Sequence, residues 1–112
     1  MLQDEWEQAP WINLGDWSET WDYRQACRNL ACRLGCYAGL EETGKLLDLA
    51  CGYGASLWLW QEAFEVTTCD AVELQQECVD YIRTNSPDSL DQLLHSSVEQ
   101  LFSSHSLGVE KY

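Results

Sequence analysis

Apolar positions along the chain follow two different periodicities, and their alternation outlines the fold. Tyr23, Ala26, Cys27, Leu30, Ala31 and Leu34 recur at offsets of three and four, with Arg24, Gln25, Arg28 and Asn29 on the opposite side. That stripe predicts an amphipathic helix starting near Ser18 or Thr20, either of which can cap it, and ending at Gly35. Gly39 to Gly44 reads as a connecting loop. Leu46, Leu47, Leu49 and Ala50 then form a strand-length apolar run that breaks into Gly52 and Gly54. From Ala55 to Phe64 no Gly or Pro intervenes, and Leu57, Trp60 and Phe64 return to helical spacing. Val66 to Glu73 is rich in β-branched residues and predicts a second strand. Leu74 to Arg83 predicts a further helix with Leu74, Cys78, Val79 and Ile82 on one side, broken by Asn85-Ser86-Pro87-Asp88. Leu90 to His95 reads as a weaker third strand and Ser96 to Leu101 as a loop or helix start, while Phe102 to Tyr112 carries no clear pattern.

Strands alternating with helices predict an α/β fold with a parallel sheet and right-handed crossovers. Residues 1–17 hold three Trp residues, Pro10 and the turn-like Asn13-Leu14-Gly15-Asp16, and read as an irregular arm. Residues 18–112 make the domain proper.

Length and charge narrow the picture. At 112 residues the chain supplies one domain, and its 46% hydrophobic content is ordinary for a packed core. Nineteen acidic against six basic side chains leave −13. That balance argues against nucleic acid and anionic lipid, both of which need Lys and Arg. The acidic start has no secretory apolar segment, and no run reaches membrane-spanning length. Six cysteines then read as reduced thiols in a cytoplasmic protein, and six Trp residues imply buried aromatic faces or a ligand-facing wall.

Candidate chemistry centres on Asp48-Leu49-Ala50-Cys51-Gly52-Tyr53-Gly54. A strand, a glycine turn and a helix let backbone approach a ligand closely, and an acid ending the next strand can accept hydrogen bonds from ribose hydroxyls. Asp70 and Glu73 compete for that role, and strand-end geometry favours Glu73. A dinucleotide site would want a third glycine near position 57, where Leu57 stands, and a nearby cation for the pyrophosphate. Cys27, Cys32 and Cys36 invite a metal reading, but no CxxC pair occurs and His95 and His105 are distant, so no metal is expected. His95 reads as a structural histidine rather than a base.

At these residues the sequence resembles the class I S-adenosylmethionine-dependent methyltransferases of the small-molecule type. Leu46-Leu47-Asp48-Leu49-Ala50-Cys51-Gly52-Tyr53-Gly54 matches their first motif with Ala50 in place of the first glycine. The resemblance implies a Rossmann-like three-layer sandwich and S-adenosyl-L-methionine as cofactor. It places Asp48 near the methionine ammonium, with Ala50, Gly52 and Gly54 as the wall beside it. Glu73 would take the ribose, with Arg83 on the following helix, and Leu74 the adenine face. Ser97 stands where the family has an acid at the adenine amino group, next to Val98. Trp11 to Trp17 is similar to an N-terminal element that helps cover the site, with Asp16 where Tyr is usual; Trp11 and Trp17 would help to close it.

The resemblance covers residues 11–101, and the family's fourth strand and later substrate-binding segments have no counterpart. The expected function is therefore methyl transfer to a small-molecule acceptor, with this chain as the cofactor-binding half of an incomplete sandwich and no catalytic base assignable. The alternatives are a non-catalytic Rossmann-like module and, less favoured, an NAD-type oxidoreductase. With about three parallel strands and an open edge, the chain is expected to be marginal, aggregation-prone or dependent on a protein partner or a missing C-terminal half.

Overall fold

The computed structural model describes residues 9–40 and 44–104. Its elements run α1 (Tyr23–Ala38), β1 (Lys45–Leu49), α2 (Ala55–Phe64), β2 (Thr68–Glu73), α3 (Gln76–Thr84), β3 (Leu90–His95) and α4 (Val98–Ser104). The three strands are parallel in the order β1-β2-β3, with Leu47 opposite Asp70 and Val72 opposite Leu94. β2 is central and buried from Cys69 to Glu73, so Cys69, Ala71 and Val72 join the core and Asp70 and Glu73 are buried acids that need partners. Neighbouring residues of a strand face opposite ways. Leu46 packs among residues of α1 and α2, whereas Leu47 packs with Val72 and Leu101 of α4. Helices thus lie on both faces, and the architecture is an open, incomplete α/β sandwich of the Rossmann-like kind. Among the described residues no helix is long and apolar enough to cross a membrane.

α2 and β3 keep the bounds the periodicity predicts; other boundaries move for physical reasons. α1 starts one turn later, because Asp22 is its cap and accepts from the Gln25 N–H at 2.8 Å. Thr20 instead accepts from the Asp22 N–H. Gly35 does not end α1 but lies inside it, where an added Cβ would sit 2.6 Å from Phe64 Cζ. The glycine is there for close helix packing, and the actual cap is Gly39, left-handed at φ 68°. The buried face of α1 is accordingly Ala26, Cys27, Ala31 and Gly35, and Leu34 is 56% exposed. Leu74 stands outside α3 and is exposed, and β2 begins at Thr68 rather than Val66. α4 continues through Phe102 to Ser104, whereas the rest of the patternless tail and the first eight residues of the arm lie outside the described residues.

The arm is fastened to the domain from Ala9 onward. Ala9 and Trp11 are buried in the same cluster as α1 and α2. Arg24 Nη1 donates to the Ala9 carbonyl and Tyr23 Oη to the Asn13 carbonyl, at 3.2 and 2.9 Å. Asn13 Nδ2 donates to the Cys27 carbonyl, and Arg33 pairs with Asp16 at 2.9 Å.

Candidate functional site

The carboxyl end of β1 carries the first acid. Asp48 Oδ2 accepts from Ser56 Oγ at 3.0 Å and from Trp60 Nε1 at 2.8 Å. Ser56 and Trp60 stand four apart on α2, so one helix face supplies both donors. Burial raises the Asp48 pKa above its ordinary value; the two donors pull it back, and the charge of Glu73 raises it further.

Beyond Asp48 the chain turns sharply, with Ala50, Gly52 and Gly54 at φ 63°, 63° and 88°. Ala50 and Cys51 both donate their N–H groups to the Val72 carbonyl, which ties the turn to the end of β2. Left-handed φ suits the two glycines but strains Ala50. A Cβ on Gly52 would lie 2.8 Å from Ile12 Cδ1, so the arm lies directly on the turn.

The second acid closes the turn from the other side. Glu73 Oε1 accepts from the Gly52 N–H at 2.7 Å, and Oε2 from the Gln75 N–H at 3.0 Å. Asp70 is placed differently: it lies mid-strand, buried, and accepts from the Gln92 N–H at 3.0 Å across the register irregularity between β2 and β3. The strand-end acid therefore faces the glycine turn and the mid-strand acid faces β3.

Leu74 is exposed, and its carbonyl accepts from His95 Nε2 at 2.8 Å, so that nitrogen carries the proton. Ser97 Oγ accepts from the Gln100 N–H, making it the cap of α4, which Val98 begins. All eight candidate residues thus lie at the carboxyl edge of the sheet. Only Asp48, Ala50 and Gly52 line the adjoining cavity of about 220 Å³. Its other walls are the arm at Trp11, Ile12 and Asn13, α1 at Leu30 and Ala31, and Trp60 of α2. No Lys or Arg lines it. Trp17 does not line it either; its ring lies 6.2 Å from that of Tyr23, and its Nε1 donates to the Leu14 carbonyl. Arg83 sits in the last turn of α3.

Ser56 and Trp60, which orient Asp48, were not singled out as site residues by motif. Their signal is positional: a helix that starts directly after a strand turn aims its first two turns back at the strand end. Cys51 also lines the cavity, but burial raises its thiol far above the neutral range, and burial pushes Cys69 up to about 12. Neither is a thiolate nucleophile at neutral pH. Among the described residues all six cysteines are unpaired with one another, and no group of three or more His, Cys, Asp or Glu side chains is placed to hold a metal.

No protein-family model matches the chain, and no curated protein matches it.

Proposed function

We propose that this chain is the cofactor-binding half of an S-adenosylmethionine-dependent methyltransferase acting on a small molecule. The observation that carries the reading is the glycine turn held between two carboxylates, Asp48 on β1 and Glu73 on β2, beside a cavity without a basic side chain. The donor set suits the cofactor: acids and aromatic walls receive ammonium and sulfonium charge, whereas a pyrophosphate would need a cation. When bound, S-adenosylmethionine supplies an electrophilic methyl group that passes in line to a nucleophile. Asp48, with Oδ2 held by Ser56 and Trp60, offers its other oxygen to a cationic group. Each Glu73 oxygen receives one N–H and retains lone-pair capacity for a ribose hydroxyl. Gly52 and Gly54 keep side-chain bulk away from the turn. The work of these residues is to bind and orient, which is how a displacement between two held reactants is accelerated. Reduced thiols and the acidic surface fit a cytoplasmic setting.

A thermal-shift series with S-adenosylmethionine, S-adenosylhomocysteine and NAD tests the reading. A ligand at a hundredfold excess over its Kd stabilises the folded state by about 2.7 kcal/mol. Both adenosyl ligands are expected to raise Tm, and NAD is not. The second reading, a non-catalytic Rossmann-like module, is favoured by the way both acids are already engaged within the chain. No shift with any of the three ligands selects it.

A further inference from the structure

β1 is an edge strand, bonded only to β2 among the described residues. The Ala50 N–H donates to the Val72 carbonyl, so by strand alternation Leu46 and Asp48 direct their main-chain groups toward β2 as well. The main-chain groups of Leu47 and Leu49 therefore face outward from the sheet. Alongside this edge runs a groove of about 160 Å³ between β1 and the end of α1, walled by Leu34, Gly35, Ala38, Leu40 and Leu46. Leu49, on the opposite face of the sheet, is 39% exposed.

These features specify an occupant. The outward main-chain groups call for an extended strand. Apolar surface on both faces of the edge calls for a strand apolar on both sides, as in the interior of a parallel sheet, and not for an alternating one. Charge decides whose strand it is. The chain carries −13, and the last turn of α1, whose carbonyls end beside the groove, contains no basic residue. A second copy would bring another −13 to the edge, whereas a basic partner is drawn to it.

We infer that the β1 edge is a docking site for a continuous apolar strand, flanked by Lys or Arg, from a basic partner protein. The strand adds beside Leu47 and Leu49 and fills the groove against α1. The inference stands whichever ligand the glycine turn holds.

Synthetic Lys-flanked Val/Ile peptides, titrated into the whole chain, test it. N-methylation along one edge leaves a peptide with a single pairing edge and keeps it from self-assembling. That peptide is expected to bind, and the same peptide methylated along both edges is not. A Glu-flanked version is expected to bind at least about tenfold more weakly at low salt, the gap closing as salt is added. In the chain, Leu49→Lys changes a side chain that is exposed at the edge, and is expected to weaken the one-edge peptide similarly. Equal binding of the one-edge and two-edge peptides overturns the inference. So does a concentration-dependent dimer of the chain alone, seen by sedimentation and removed by Leu49→Lys, because the occupant is then a second copy.

Discussion

The Gly52 N–H donates to Glu73 Oε1 at 2.7 Å, joining two residues 21 apart in sequence across the ends of neighbouring strands. The bond makes Glu73 a part of the turn as well as a candidate ligand group. Glu73 is 7% exposed, so its loss strands two N–H groups, those of Gly52 and Gln75. Glu73→Ala is expected to cost about 1–3 kcal/mol in urea unfolding. Glu73→Gln, which keeps one acceptor oxygen, should cost less.

Ala50 adopts the same left-handed φ of 63° as Gly52. A side chain there strains the backbone by roughly 1 kcal/mol, and Gly relieves it. Ala50→Gly should raise Tm, by about 1 kcal/mol in stability, whereas Gly52→Ala should lower it by more than that, because its Cβ must also displace Ile12. Shifts of opposite sign in a thermal melt, the larger at Gly52, are the expected result.

Among the described glycines, Gly35 has the closest neighbour for an added Cβ, the ring of Phe64. A Cβ would meet three atoms of the ring at 2.6 to 3.0 Å, and α1 would have to move off α2. Gly35→Ala should destabilise by about 1–3 kcal/mol, despite the better helix propensity of Ala. Gly39, where a Cβ would meet nothing within 4 Å, is left-handed at φ 68°, so Gly39→Ala should cost only the backbone strain of about 1 kcal/mol.

These glycines also show what was legible in the sequence. The run Leu46 to Gly54 announces strand, turn and helix because a parallel strand with helices on both faces is largely apolar and the turn needs left-handed residues. Glu73 was legible for the same reason, since strand-end acids face the turn. Gly35 was not: a local rule makes a glycine after an apolar stripe a stop signal, and here packing against Phe64 overrides it. The Ser56 and Trp60 bonds to Asp48 were hidden because both positions also read as ordinary helix. Trp17 carried a pocket role in the arm motif, but its indole bonds the Leu14 carbonyl and leaves Trp11 and Ile12 at the cavity.

Asp48 should leave its mark on the pH dependence of stability. Burial holds its folded pKa above the ordinary 3.8, so the folded chain binds more protons than the unfolded one across that window. Its contribution therefore falls as pH rises from about 4 through the raised value. Asp48→Asn keeps an acceptor for Ser56 and Trp60 and removes the slope. The variant should be the more stable at neutral pH, and the two should converge below about pH 4. Asp16 slopes the other way: the Arg33 hydrogen bond lowers it to about 2, so its contribution is present above 3.8 and lost as pH falls through about 2. Denaturant midpoints measured across the acid range check both signs.

The most direct test of the proposed function is calorimetric titration of the chain with S-adenosylmethionine at two pH values. A saturable single-site binding heat is expected, strengthening as pH rises through the raised Asp48 value, because a cationic ligand favours the ionised carboxylate. Asp48→Asn should bind more weakly and lose that pH dependence. Absence of binding at either pH, or binding of NAD with neither adenosyl ligand, would contradict the assignment.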